Sequence, residues 1–508
     1  MVLSEIEGTQ VVQEDKANDL SVYSIYSEKG EILVAQQLIR DDAGNPIYSI
    51  LTTTDIIMIA TQVITNVSTL FVDLLVFIIT VLLLVGELRG ILECVTLRKK
   101  YRLSNYKNSE IAFSRTFSFL TTFVTSFDGA LMVLIAKDII TQNNMDNSAV
   151  LLGIPPACIS IGMTLGKPIF NSMSKRYGIK SLVGLFSILL TVSYFFCFEF
   201  VQDSNFYGYC IAIFTSGLFT GVLSCIKHYM LLLSPNEQVR FDISQKNSLT
   251  GISGNVISVG LAGIVADMLG SEYIYAMAIV PALMFLVLAI FVFPQKIKYY
   301  METPESQKTR FSDCLKFLFS PAFITFALFM LMTDTLATGY KSFMFPLFTS
   351  DVGISKAMIS NYVVFGNFIA FVVNQSSKKT VKKHDFLYIS IFCTIATGLV
   401  FLSFLVNTTV AWAVLVIAIT MVFSRLSTMC NDMLWPRLCK KTNFPEQTCN
   451  KMVLYFQDFT YMTRSMILSA LLTMGIVTAC TCLGVFMLVG AVIFFFVAKK
   501  TGCFSPNK

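Results

Sequence analysis

The sequence predicts an all-α polytopic membrane protein, and composition, segment length and charge placement are the observations behind this prediction. The chain has 508 residues, of which 55% are hydrophobic and 14% charged, whereas soluble domains average about 25% charged residues. Its apolar residues come in blocks of about 20, the length of a helix that crosses the roughly 30 Å hydrocarbon core. Thirteen spans are expected, at 70–91, 116–137, 148–166, 181–199, 207–227, 248–268, 274–293, 318–342, 357–376, 386–405, 410–430, 452–474 and 479–498.

The placement of basic residues predicts the orientation of the chain. The connections on one side, together with the C-terminus, hold 28 Lys and Arg, whereas the opposite connections after the second span hold only Lys137 and Lys356. Because cytoplasmic loops are enriched in Lys and Arg, the C-terminus is expected inside and, with thirteen crossings, the N-terminus outside. Residues 1–52 carry nine acidic and three basic residues, which favours an extracytoplasmic location. An integral protein of the cell membrane is expected, with the lipid bilayer as its partner.

The first 97 residues are expected to form an acidic extracytoplasmic segment, 1–52, followed by a long helix, 53–97. The stretch 31–51 predicts two strands about the turn DDAGNP. The helix would be roughly 68 Å long, about twice the bilayer core, so its second half would span the membrane. The strand pair resembles the closing strands of Cache-type extracellular sensor domains, of which it would be a remnant. A loosely ordered acidic tail, or a hairpin of two short spans over 53–92, are the alternatives.

The remaining twelve spans divide into two six-helix halves, 111–293 and 318–500, joined by the basic linker 294–317. The first helices of the halves contain FLTTFVTSFDGALMVLIAK and FITFALFMLMTDTLATGYK, each with one internal Asp and a Lys at its end. Asp128 therefore corresponds to Asp334. Together with the equal spacing of the spans, this favours a duplicated six-helix unit.

These features resemble the major facilitator superfamily over about residues 111–500. The loop GKPIFNSMSKRYGIK, at 166–180, is similar to that family's cytoplasmic signature, although Lys175 stands where the family has Asp. That departure puts in doubt the ion pairs that usually form between this loop and neighbouring helix ends. The resemblance implies a 6+6 helix bundle with pseudo-twofold halves, to which this chain adds one N-terminal transmembrane helix. The predicted gating-loop residues are Lys175, Arg176, Gly178 and Lys180.

Polar side chains inside the spans are the candidate substrate or ion sites. A charge at the bilayer centre costs several kcal/mol, so it usually faces a cavity, a partner or an ion path. The resemblance implies that the first, fourth, seventh and tenth helices line a central cavity, which would hold Arg425 and the two repeated Asp residues. A buried ion pair of Asp128 with Arg425 is the alternative, and Lys341 is expected to snorkel to the interface. The candidates are Asp128, Asp334, Arg425, Asp458, Arg464 and Tyr340.

The sequence limits the function to three classes. It has no GxxxxGK[ST] motif for an ATP-driven motor, and its two His residues, His228 and His384, lie in cytoplasmic connections. No enzyme activity, cofactor, metal or nucleic-acid partner is therefore predicted. The leading prediction is a secondary or facilitative transporter of a small molecule or ion by alternating access, with proton coupling through a cavity carboxylate. The alternatives are a membrane sensor that signals through the N-terminal helix and a nucleotide or metabolite exchanger. Substrate, coupling ion and oligomeric state stay open.

Overall fold

The computed structural model divides into two compact units, Met1–Leu75 and Val76–Lys508. In the strands and in parts of several helices it describes the backbone alone. It describes residues 9–15, 20–27, 30–40, 46–55, 76, 78–83, 85, 117–127, 129, 131–145, 148–177, 179–232, 237–291, 311–336, 339–381, 385–441 and 446–502.

The first unit contains an antiparallel sheet in the order β1-β2-β3-β4. Its strands are β1 (Thr9–Asp15), β2 (Leu20–Ser27), β3 (Gly30–Arg40) and β4 (Pro46–Asp55). Strands β3 and β4 coincide with the strand pair predicted at 31–51, and two further strands precede them. The helix predicted from residue 53 begins too early, because Thr53 and Thr54 pair with Val34 and Leu33 in the sheet. The three successive β-branched Thr residues before Asp55 favour this strand over a helix.

The second unit is all-α in its described part, as predicted. Its helices are α1 (residues 76, 78–83 and 85), α2 (Phe117–Ser126), α3 (Met132–Gln142), α4 (Ser148–Leu151), α5 (Ile154–Tyr177), α6 (Ile179–Gln202), α7 (Phe206–Leu232), α8 (Glu237–Met268), α9 (Tyr273–Phe291), α10 (Phe311–Leu318), α11 (Pro321–Met330), α12 (Phe345–Asp351), α13 (Lys356–Val381), α14 (Phe386–Leu402), α15 (Val410–Lys441), α16 (Glu446–Leu472) and α17 (Ile476–Thr501). Two π-helical turns, Leu331–Leu336 and Tyr340–Met344, lie between α11 and α12, and a short 3₁₀ turn, Ser403–Leu405, follows α14.

Every predicted span between 116 and 498 contains helix, which confirms the prediction of an all-α polytopic membrane protein. By length and composition, seven of the described helices could each cross a membrane, and α2, α9 and α11 are shorter apolar helices. Residues of the α6 and α17 surfaces such as Phe195 and Phe496 are half exposed or more. Apolar side chains on the outside of a bundle are what contact with lipid requires.

The first helix of each half is interrupted near its Asp. In the first half the break between α2 and α3 includes the turn at Gly129, whose N–H donates to Ser126 O at 3.3 Å. In the second half the helix passes through the two π-helical turns before it continues as α12. Discontinuous membrane helices and π-helical segments frequently mark functional sites. The repeat seen in the sequence is therefore also a repeat of irregular backbone.

Within the first half, α5 and α7 pack closely through two GxxxG patterns, Gly162 to Gly166 and Gly217 to Gly221. A Cβ at Gly166 would lie 2.9 Å from the backbone N of Val222, and one at Gly221 would lie 2.8 Å from a backbone atom of α5. Such distances are too short for a side chain. Small residues let membrane helices approach to backbone contact, where van der Waals packing holds them together.

The two halves meet along two seams, α5 against α16 and α8 against α13. At the first seam Gly153, just before α5, faces α16, where its Cβ would lie 2.9 Å from Ser469 Cβ. At the second seam a Cβ at Gly263 would lie 3.0 Å from Ala357 Cα. Small residues thus let the helices of both seams approach each other closely, with few protruding side chains between them. Helix α1 reaches the second seam, where Thr80 Oγ1 lies 3.7 Å from the Cβ position of Gly260.

Candidate functional site

A cavity with a volume of about 440 Å³ lies between the two halves and is lined by both. The first half contributes residues of α2, α3, α5 and α8, and the second contributes residues of α11, the second π-helical turn, α13, α15 and α16. The first, seventh and tenth helices of the bundle thus line the cavity as expected. The expected fourth helix, α7, contributes no described lining residue, because its glycine face is covered by α5. The second, fifth, eighth and eleventh helices line it as well.

Three cationic side chains, Lys341, Arg425 and Arg464, line this cavity. Lys341 lies close enough to both arginines to be repelled by their charges. The guanidinium of Arg464 lies over the ring of Tyr461, 4.8 Å from its centroid, a cation–π contact. No acidic side chain is among the described lining residues. The described wall of the cavity is therefore positively charged.

A chain of hydrogen bonds connects the cavity wall of one half with that of the other. Asn255 of α8 donates from Nδ2 to Ser126 Oγ at 2.8 Å. Asn367 of α13 donates from Nδ2 to Asn255 Oδ1 at 2.9 Å, across the seam. Lys341 then donates from Nζ to Asn367 Oδ1 at 3.3 Å. Amides that are hydrogen-bonded in this way fix their neighbours in position.

The rest of the cavity wall mixes hydroxyl and apolar groups. Such a mixture suits a small solute with both polar and apolar parts, since binding pockets are mostly apolar with a few placed polar groups. The hydroxyl-bearing residues are Thr125, Ser126, Ser160, Ser342, Thr428, Thr460, Tyr461 and Ser465. The large apolar ones are Met132, Met163, Met330, Phe343 and Phe456.

The structure places some of the predicted site residues at the cavity and not others. Arg425 and Arg464 line it. Tyr340 is buried elsewhere: its hydroxyl donates to Ala413 O at 3.3 Å and its ring packs edge-on against Phe401. The side chains of Asp334 and Asp458, and the whole of Asp128, lie outside the described residues. An Asp128–Arg425 ion pair is therefore outside the described part as well.

Of the predicted gating-loop residues, only the Lys180 side chain is described. Lys180, in the first turn of α6, donates from Nζ to Ile290 O at 3.3 Å, near the end of α9. A Lys near a helix C-terminus satisfies carbonyls that have no partner within the helix. The side chains of Lys175 and Arg176, and all of Gly178, fall outside the described part of the chain.

Sequence reasoning missed Lys341 as a cavity residue, and the expectation that it snorkels to the interface is wrong. The reason is the length of the helix: it continues through the second π-helical turn to Asp351, so Lys341 is far from its end. Asn255 and Asn367 were also missed. The available signal was an amide within an otherwise apolar span, where a polar side chain needs a partner.

At one end of the bundle the halves are joined by two ion pairs. Lys137 Nζ lies 2.6 Å from Asp351 Oδ1, and Lys356 Nζ lies 2.6 Å from Asp138 Oδ2. Asp267 of α8 also accepts the backbone N–H groups of Lys356 and Ala357, each at 3.0 Å, at the start of α13. A carboxylate there satisfies free N–H groups and the positive end of the helix dipole. Polar contacts between the halves are therefore present at this end of the bundle as well as at the cavity wall.

A bundle of two repeated helical halves around a polar central cavity defines a class, the polytopic membrane transporters. Within that class the sequence matches the model of the Major Facilitator Superfamily over residues 118–438, and the chain belongs to this superfamily. The match confirms the predicted transporter class and argues against an enzyme.

Solved structures of this fold are similar to the chain at low sequence identity. The D-xylose-proton symporter has 14% identity and a TM-score of 0.62, covering 77% of this chain and 98% of its own. A mutant of nucleoside transporter NupG has 9% identity and a TM-score of 0.59, covering 76% and 99%. The POT family transporter PepTSo has 10% identity and a TM-score of 0.60, covering 78% and 99%. No curated protein sequence matches the chain.

Proposed function

We propose that this protein is a secondary transporter that carries a small solute by alternating access, with the central cavity as its binding site. The observation that carries the proposal is the cavity of about 440 Å³ lined by both halves. A solute bound there contacts both halves, so a rocking motion about the smooth seams exposes it first to one side and then to the other. Membership of the superfamily supports this and argues against an exchanger from a different twelve-helix family.

The roles of individual residues follow from their chemistry. Arg425 and Arg464, as lining cations, are proposed to contact the solute. Asp128, Asp334 and Asp458 are proposed as carboxylates that couple transport to an ion, because intramembrane acids commonly form proton relays. The interrupted backbone at the first helix of each half supports the same role for the first two.

We further propose that the chain resides in the cell membrane with its C-terminus in the cytoplasm. The split of 28 basic residues against two supports this orientation. Helix α1 is proposed to cross the membrane, which puts the sheet of residues 9–55 outside. The sensor alternative stays a prediction, favoured by the sheet being a unit of its own.

Filling the cavity tests the proposed route. Gly129 lines it, and a Cβ there would meet only Ser126 backbone atoms at 3.6 Å or more, so Gly129→Trp should place an indole in the cavity. The matched control is Val192→Trp on the outer face of α6, where the side chain is 44% exposed. Purified protein in liposomes is offered labelled D-xylose, uridine, succinate and phosphate in turn.

We expect uptake of at least one solute by the unmodified protein and by Val192→Trp. Gly129→Trp should reduce that uptake more than tenfold, with its unfolding temperature unchanged. Uptake by Gly129→Trp at the unmodified rate would contradict the cavity as the route.

A further inference from the structure

We infer that the solute held in the cavity is an anion, a carboxylate or a phosphate, and that Lys341 is its principal ligand. The inference rests on the proposed function, since it names the substrate class of the same cavity. It goes beyond that function because neither the family nor the fold specifies the charge of the solute.

Lys341 uses only one of its hydrogen-bond donors among the described residues. Among the described residues its ammonium has one hydrogen bond, to Asn367 Oδ1 at 3.3 Å, and no ion pair. An ammonium has three N–H donors and no acceptor. Two donors of a side chain that lines the cavity are thus available to a ligand. A charged group within the membrane is costly without compensation, and an anion in the cavity supplies it.

The charged side chains near Lys341 that line the cavity are also cations. Arg425 and Arg464, which make contacts of their own, lie near enough to repel Lys341. All three charged side chains among the described lining residues are cations. In a site of low dielectric such a cluster attracts an anion strongly and repels a cation. A neutral sugar would need none of these charges.

The ammonium of Lys341 is held in place by hydrogen bonding. The linked amides of Asn255 and Asn367 hold it at the cavity wall, through a hydrogen-bonded chain that includes residues of both halves. A carboxylate or phosphate oxygen accepts a charge-assisted hydrogen bond from such a fixed donor. Ser126 lines the same cavity, and because its Oγ accepts from Asn255 among the described residues, its O–H can donate to a further oxygen.

The test measures thermal unfolding of the full-length protein in detergent with four probes: succinate, inorganic phosphate, glucose and choline. Succinate or phosphate should raise the unfolding temperature, whereas glucose and choline should not. Lys341→Gln should weaken the apparent affinity for the stabilising anion roughly 10- to 100-fold, as expected for a hydrogen bond to a charged group. Lys341→Arg should retain most of it. Lys316→Gln on α10, an exposed Lys away from the cavity, is the matched control and should bind like the unmodified protein.

Stabilisation by glucose or choline alone, or by none of the anions, would overturn the inference. So would anion binding that is undiminished in Lys341→Gln. If that variant does not fold, the four probes on the unmodified protein still decide the charge of the solute. Uptake of a neutral solute that Gly129→Trp blocks would refute the inference and leave the transport proposal intact. Anion binding through Lys341 without uptake of any solute would support the inference and contradict transport.

Discussion

At the scale of single residues, charge inside the spans was a better guide to the cavity than aromatic or hydroxyl content. Arg425 and Arg464 were found from sequence because a cation in an apolar span requires a cavity or a partner. The sequence could not show that Tyr340 is a core residue and not a cavity residue. Its burial among aromatic rings depends on contacts with residues far away in sequence. Asn367 was missed because its partners lie on two other elements, α8 and the second π-helical turn, and only the folded bundle brings them together.

The carboxylate of the first helix gives a prediction at this scale. If Asp128 carries the coupling proton, Asp128→Asn should abolish the pH dependence of solute uptake, because an amide does not ionise in this range. Uptake into liposomes with an imposed pH gradient measures it, and counterflow without a gradient is the control, which should survive. pH-dependent uptake that is unchanged in the variant would rule out proton coupling through this residue.

At the scale of elements, the spans were predictable from sequence and their interruptions were not. Blocks of about 20 apolar residues identify membrane helices because backbone groups in lipid must bond within the helix. The π-helical turns around Asp334 and Lys341 have no comparable signal, since a π-turn differs from an α-helix by one residue of hydrogen-bond register. The mistaken helix start at residue 53 has a similar cause. An apolar stretch with β-branched residues fits a strand or a helix equally, and pairing with β3 decides it.

The sheet of residues 9–55 carries a prediction about topology. A Cys placed at Asn45, between β3 and β4, should react with a membrane-impermeant maleimide on intact cells, because the N-terminal unit is proposed to lie outside. A Cys at Lys499, near the C-terminal end of α17, should react only after the membrane is permeabilised. Labelling of position 45 that also requires permeabilisation would favour the alternative with an internal N-terminus.

At the scale of the whole molecule, the two ion pairs at the proposed outer end of the bundle should influence which side of the cavity is open. Both pairs are partly exposed, and such pairs contribute about 0–1 kcal/mol each. Replacing Asp138 and Asp351 together by Asn should therefore increase the population with separated outer ends by up to roughly 30-fold. Distances between spin labels at Gln142 and Val352, in a background without reactive cysteines, measure that population.

Exchanging the charges of the Lys137–Asp351 pair is the matched control. The double variant Lys137→Asp with Asp351→Lys should restore the closed population that either single change reduces, as a double-mutant cycle requires for a direct interaction. Single and double variants with equal distance distributions would mean that the pair has no part in closing the outer side.

The hydrogen-bonded chain from Ser126 to Lys341 links occupancy of the cavity to the contact between the halves. An anion that binds the remaining donors of Lys341 contacts the same ammonium that bonds Asn367, and Asn367 is the residue that reaches across the seam to Asn255. Binding of the solute then changes the equilibrium between the arrangements of the halves. Because such coupling is reciprocal, the arrangement of the halves changes the affinity for the solute by the same free energy. The empty and the solute-bound protein would accordingly differ in the strength of the contact between α8 and α13. Such a difference would link the opening of either side of the cavity to the presence of the solute.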